Sequence, residues 1–490
     1  MNKLLKNAYL RRSPRPSSLQ RSPNLRKRSI SILIVSILSF IVFTLTTSPC
    51  ILAASHRLPN VSPKMEKPEF WTQKIKNAKR LLLTPEEIQG INEATLKNQD
   101  LYLWNVKDLK EEWTREEMLS FLREDWEGFG RIDEGRYDKY RNPLKGPFWT
   151  ELKKNLDEES LKEKNQLLFG LIVKRTDIRF FPTHEISTGS PTNNGFDQIQ
   201  HSTVPPGSLV GVYHFSKDKL WAYVQTRFVR GWVQAKDLAI AKEKKEAIGY
   251  DEAKKRLVIT GDFINVYHDL SHQQIAFTTQ MGISFPLLDP PKQTKGTKKD
   301  YIITIPFRET DGQLTFDEGY IPMGKDVHPG FLPYTQENLA RQAFKMLHQP
   351  YGWGEMHGAR DCSRLIMDLF STFGILMPRN SKFQARMGID LGQAESMILK
   401  EKEKILDQAV PLATILRLPG HIMLYLGKDR GRYYVIHNIW GIQKAGESGP
   451  VLEKIGRVVV SDLSLGSSGP NGSLLDRVTD IRVIGKELKP

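Results

Sequence analysis

Hydrophobic positions change their spacing along this chain, and each change predicts a different kind of element. Ser29 to Ser48 is an unbroken run of twenty uncharged, mostly apolar residues. From Pro68 to about Asn165 apolar residues recur at helical intervals, as in Trp71, Ile75, Ala78 and Leu82. Thr84-Pro85-Glu86-Glu87-Ile88 has the cap residue and first-turn proline of a helix start. Trp104, Trp113, Trp126 and Trp149 are expected to pack in this region. Between Gly170 and Ala241 the pattern becomes short β-rich runs separated by turn residues: Leu171–Val173, Ser208–Tyr213, Leu220–Val224 and Arg230–Val233. Runs of that length and spacing predict a small barrel. Lys242 to Lys255 reads as a charged connector, and a second β-rich module follows from Leu257 to about Met323. Beyond Pro333 the pattern is mixed. Thr335 can cap a helix with Leu339, Ala340, Ala343, Phe344 and Leu347 on one face, and Cys362 to Phe373 reads as a second helix, followed by strands.

With 490 residues, the chain has room for about three to five domains. Its 39% hydrophobic and 26% charged content is that of globular proteins and excludes a collagen, a disordered tail protein and a polytopic membrane protein. The formal charge of +15 invites a nucleic-acid reading until it is located. Nine cations, from Lys3 to Arg28, precede the apolar run with no acidic residue among them, leaving +6 for the rest. A basic front, an apolar run and the small-residue site Leu52-Ala53-Ala54-Ser55 describe an export segment over residues 1–54. The run is also long enough to span a bilayer, so a cleaved signal and a retained membrane anchor both fit. Either way the remainder is expected outside the cytoplasm, in the periplasm, the cell envelope or the medium, and nucleic acid is not the expected partner. Cys50 belongs to the export segment, since Pro49 before it suits a lipidated cysteine poorly. Two cysteines exclude a disulfide framework and any cluster needing three or four thiolates.

Cys362 is then the lone thiol of the exported part, placed at a helix start after Arg360-Asp361 and before Ser363. Helix N-termini favour thiolates, so a lowered thiol pKa is expected there. A base comes from register. His421, Met423 and Tyr425 share one strand face, and Tyr433, Val435 and His437 share another. Folding the hairpin about Asp429 sets His421 directly opposite His437, so that one imidazole takes the thiol proton while the other orients it. A metal site from the two histidines and the thiolate is the weaker reading, because no further ligand has suggestive spacing; neither a metal nor an organic cofactor is expected.

Tyr351-Gly352-Trp353-Gly354, Arg360-Asp361-Cys362-Ser363, the stretch Gly374 to Ser381 with Gln384, and Gly420 to Gly427 together resemble the NlpC/p60 cysteine peptidases of bacterial cell walls. Arg175 to Thr183 and Gly231-Trp232-Val233 resemble a bacterial SH3-like domain, and Trp71 to Asn92 resembles the N-terminal helical domain of a multidomain subgroup. The resemblance implies an N-terminal α-helical domain (66–166), two small SH3-like β-barrels (170–243 and 255–325) and a C-terminal α+β papain-like domain (333–490). It implies a γ-D-glutamyl-L-diamino acid endopeptidase acting on peptidoglycan stem peptides or muropeptides. Cys362 would be nucleophile, His421 general base and acid, and His437 the orienting residue. Tyr351, Asp361 and Ser363 would bind substrate, Asp361 by recognising the free amine of the stem's first L-alanine. One position departs from the family pattern, since Glu355 stands where relatives usually have a second glycine. The competing readings are a catalytically inert peptidoglycan-binding protein and a thiol acyltransferase or amidase acting on another acyl group.

Overall fold

Capping at the expected places shapes the helices. Thr84 accepts the Glu87 N–H while Glu87 reaches back to the Thr84 N–H, opening the helix Pro85–Lys97. Thr335 caps Gln336–Lys345 and Asp361 caps Cys362–Ser371. This computed structural model describes residues 57–486 except 131, 133–134, 193–194, 289–299, 325 and 448. The export segment over residues 1–54 lies outside the described residues. From Arg57 onward the chain forms one compact unit.

The helical stripe from Trp71 to Leu82 does not form one helix. Pro68–Thr72 is a short helix, and Asn77 adopts φ +61°, which no continuous helix allows. The apolar residues of this segment are used as anchors instead. Trp71 is buried in the core of the C-terminal domain, its ring 5.4 Å from that of Tyr434. Asn60 donates to Asp462, and Tyr434 donates to the Asn60 carbonyl. The start of the described chain therefore straps the far end. Tertiary burial overrides local periodicity here.

Two helices, Arg115–Gly128 and Gly146–Asn155, pack their aromatics against the first barrel: Trp126 and Trp149 meet Phe181. This N-terminal region is not purely helical, because Glu112–Thr114 pairs with Lys164–Gln166. Each barrel is a seven-stranded antiparallel sheet, the first running from Leu168 to Ile240 and the second from Arg256 to Pro329. The C-terminal domain has a six-stranded sheet in which Thr414–Leu418, His421–Asp429, Arg432–Lys444 and Val451–Asp462 are successive neighbours. The helix Cys362–Ser371 packs its Leu365, Ile366 and Leu369 onto one face of that sheet, against Ile422, Leu424 and Ile436.

The polar side of the same helix meets both barrels. Arg364 bonds Glu355 at 3.0 Å and Asp368 at 2.6 Å. Asp368 also takes Arg360 at 2.6 Å and Gln280 of the second barrel at 2.8 Å, while Arg360 continues to Asp262 of that barrel. Glu355 receives the hydroxyls of Ser202 and Thr203 and the Thr203 N–H from the first barrel, and Arg175 lies 3.6 Å away. Glu355 is fully buried. Burial alone would raise its carboxyl, but Arg364, Arg379, Arg175 and the Ser202 hydroxyl hold it far below the ordinary carboxylate range. It occupies φ +66°, ψ +23°, the conformation a glycine would take without strain. That costs about 1–3 kcal/mol, which the charged hydrogen bonds offset.

Glu355→Gln keeps the shape and removes the charge facing these arginines. It is expected to lower the free energy of urea unfolding by about 3–5 kcal/mol, the usual consequence of leaving buried charge uncompensated; a loss below about 1 kcal/mol contradicts this account of the junction.

Candidate active site

Cys362 opens its helix and is 7% exposed. Its partners are the backbone N–H groups of Ile422 and Ser363. Ile422 directly follows His421, so the thiol lies against the start of the histidine strand. Among the described residues no hydrogen bond joins the thiol to the His421 ring, as is common before substrate tightens a catalytic pair. The expectation of a lowered thiol pKa is corrected. Burial, then the Asp361 charge, pushes Cys362 up to about 12, outweighing the two N–H groups and Arg379, which pull it down. Burial, then the charge of Arg477, pulls His421 down to about 3. The resting pair is a neutral thiol and a neutral imidazole.

His421 Nε2 lies 2.7 Å from His437 Nδ1, and His437 Nε2 lies 3.0 Å from Ser461 Oγ. With Nε2–H on both rings, His421 donates to His437 and His437 donates to Ser461, leaving His421 Nδ1 with its lone pair. The pairing is as expected, but its register is not. The turn falls at Arg430-Gly431, both with positive φ as a two-residue type I′ hairpin requires, rather than about Asp429. Asp429 pairs with Arg432 and Gly427 with Tyr434; continued unbroken, that ladder sends the two histidines to opposite faces. A bulge between Tyr425 and Gly427 shifts the count by one, so Tyr425 meets Val435 and Leu424 meets Ile436. His421 and His437 thereby return to one face as diagonal rather than directly opposed neighbours.

Asp361, Ser363 and Tyr351 surround the same helix start. Asp361 accepts from Arg379 at 2.6 and 3.2 Å, from the Arg364 N–H and from the Ser363 hydroxyl, and Arg379 also donates to Ser363 Oγ at 2.8 Å. The carboxylate is therefore already matched by a guanidinium. Tyr351 is half-buried; burial, then the Cys362 and Asp361 charges, pushes its hydroxyl well above the ordinary tyrosine value. Its ring lies 5.7 Å from that of Trp440 and 6.4 Å from that of Phe196, and Phe196 also meets Trp353 and Trp440 at 5.1 Å each. Phe196 comes from the first barrel, which so contributes a ring to the aromatic cluster around Tyr351.

Four further residues were not singled out from sequence. Ser461 ends the histidine relay. Asn438, fully buried, donates to the Arg360 carbonyl at 2.7 Å and holds the approach to Cys362. Arg379 neutralises Asp361, and Phe196 brings the first barrel against Tyr351, Trp353 and Trp440. Arg379 stood within a quoted motif and Asn438 follows His437, yet only the folded chain shows what they touch.

Residues 348–439 match the model of the NlpC/P60 family, and residues 187–234 match that of an SH3 domain of the SH3b1 type. The chain thus carries an NlpC/P60 domain toward its C-terminus behind an SH3 domain. A search of curated proteins returns no match. Among solved structures, an NlpC/P60 endopeptidase from Photobacterium damselae subsp. piscicida is similar at 19% identity and a TM-score of 0.68, covering 86% of this chain and 97% of that one. An NlpC/P60 family protein from Bacillus cereus ATCC 10987 aligns at 14% identity and a TM-score of 0.44 over 66% of this chain and 100% of its own.

A neutral resting pair has a distinct signature. Alkylation of Cys362 by iodoacetamide is expected to be slow at pH 7 and to keep rising with pH through 9–10; a plateau spanning pH 5–8 would instead reveal a preformed thiolate–imidazolium pair.

Proposed function

Since the C-terminal domain is of the NlpC/P60 family, we propose that this protein is an exported cell-wall cysteine endopeptidase hydrolysing the amide between γ-D-glutamate and an L-diamino acid in peptidoglycan stem peptides. The observation that carries the reading is the His421–His437–Ser461 relay on a strand whose next residue, Ile422, bonds through its backbone N–H to the buried thiol at a capped helix start. In the proposed reaction His421 Nδ1 takes the Cys362 proton as sulfur attacks the glutamyl carbonyl. The amide C–N bond breaks, the leaving amine receives that proton, and a thioester remains. Water, deprotonated by His421, then cleaves the thioester and restores the thiol. His437, backed by Ser461, keeps the His421 ring in the tautomer that this sequence needs. Proton transfer within the attack, rather than a stored thiolate, suits the neutral pair.

Tyr351, Asp361 and Ser363 are proposed to hold the acyl half. Because Asp361 is matched by Arg379, its attraction for a free N-terminal ammonium is weakened, and N-acetylated stems are expected to be cleaved within about tenfold of free ones. Export rests on the basic front and apolar run of residues 1–54. It is compatible with a cleaved signal or a retained anchor.

The test is mass spectrometry of tri- and tetrapeptide stems incubated with wild type and Cys362→Ala. Wild type is expected to release the diamino acid half, and Cys362→Ala to lose on the order of 10⁴-fold or more. Equal inactivity of the two would support a peptidoglycan-binding protein without turnover, and products cut at another acyl bond would support an amidase or acyltransferase.

A further inference from the structure

The face of the sheet carrying His421 is covered by the segment Leu463–Val478, not by the Cys362 helix. Leu474, Leu475 and Val478 pack with Met423 and Tyr425 on that face. Thr479 donates its N–H to the Arg417 carbonyl, and Arg417 adjoins Leu418, the register partner of His421. Arg477 stands two residues before Thr479, at the end of the turn Leu474–Arg477. Its charge is felt at the His421 ring. Arg477 is half-buried and, among the described residues, its guanidinium forms no ion pair or hydrogen bond. The other arginines near the nucleophile, Arg360, Arg364 and Arg379, are all matched by carboxylates.

Arg477 also lines a cavity of about 220 Å³, with Gly441 and Ile442 on the histidine strand and Leu465, Gly466 and Asn471 across from them. His421 shares a sheet face with Met423, which packs with the cavity residue Leu474, while the next residue, Ile422, bonds the thiol through its backbone N–H. A peptide whose scissile carbonyl sits on Cys362 and whose departing nitrogen is protonated by His421 runs on past His421. A half-buried arginine without a counter-ion is suited to a carboxylate, which its guanidinium can take through two parallel hydrogen bonds.

We propose that Arg477 and the cavity beside it form a subsite for a carboxylate of the departing diamino acid. The inference rests on the hydrolase reading above and deepens it. Two carboxylates share this chemistry: the main-chain group of a terminal diamino acid, and the side-chain group of one such as diaminopimelate.

Binding, rather than turnover, separates this proposal from the reaction itself. Three ligands are titrated calorimetrically into full-length Cys362→Ala: L-alanyl-γ-D-glutamyl-L-lysine, its C-terminal carboxamide, and the main-chain carboxamide of the corresponding diaminopimelate peptide. At least one ligand with a free carboxylate on its diamino acid is expected to bind about tenfold or more tightly than the lysine carboxamide, which like the others keeps the glutamate α-carboxylate. The lysine acid reports the main-chain group and the diaminopimelate carboxamide the side-chain group. In Cys362→Ala/Arg477→Gln that advantage is expected to vanish, with partial retention in Cys362→Ala/Arg477→Lys and an unchanged Tm. Equal binding of all three ligands overturns the proposal, as does an advantage that survives Arg477→Gln or no binding by any ligand. Failure of wild type to turn over any stem counts against the proposed hydrolysis and leaves this binding difference standing.

Discussion

The surroundings of Cys362 depend on the buried chain of alternating charge formed by Glu355, Arg364, Asp368, Arg360 and Asp262. It runs behind the helix whose first residue is Cys362, and both of its ends lie on barrel residues: Ser202 and Thr203 at one, Asp262 at the other. A buried charge must be matched or it destabilises the fold by several kcal/mol. The two barrels and the C-terminal domain therefore stay together, because separating any of them would strand a charge. This explains why a loop position usually suited to glycine holds Glu355. The left-handed backbone is retained because the carboxylate it delivers joins the first barrel to the helix that Cys362 opens.

That rigidity sets the electrostatics of the site. A thiol embedded against Ile422 and pressed by Asp361 does not ionise at rest, and two histidines sharing a partly buried hydrogen bond remain uncharged. The helix N-terminus is present, but its pull is weaker than the desolvation of a sulfur packed into the core. Such a site stores no reactive thiolate. In the proposed reaction, chemistry begins only when a carbonyl arrives for the sulfur to attack.

The local features were legible in the chain. Thr84 and Thr335 each cap the helix expected of them, a helix does start at Cys362, and most barrel strands with strong β patterning stand where their runs predict. The shared face of His421 and His437 was also readable, although by a different route. The two-residue turn at Arg430-Gly431 and the bulge before Gly427 each displace the register, and together they preserve parity. Alternation along a strand shows which residues share a face but not where a bulge falls. The segment after Trp71 misled for a related reason: its helical spacing serves an anchor that reaches the C-terminal core. Ser461, Arg379 and Glu355 acquire their roles from partners far away in sequence. A polar residue in an apolar strand or loop carries no mark of the partner that folding supplies.

The central claim is that Cys362 attacks the γ-glutamyl carbonyl and carries the acyl half covalently. Rapid acid quench of the protein with a stem tripeptide, followed by intact mass spectrometry and peptide mapping, tests it directly. The account predicts a transient adduct with the mass of the alanyl-glutamyl acyl group on the peptide containing Cys362, absent from His421→Ala. Turnover of the stem with no adduct at any quench time, or an adduct on another residue, would contradict it.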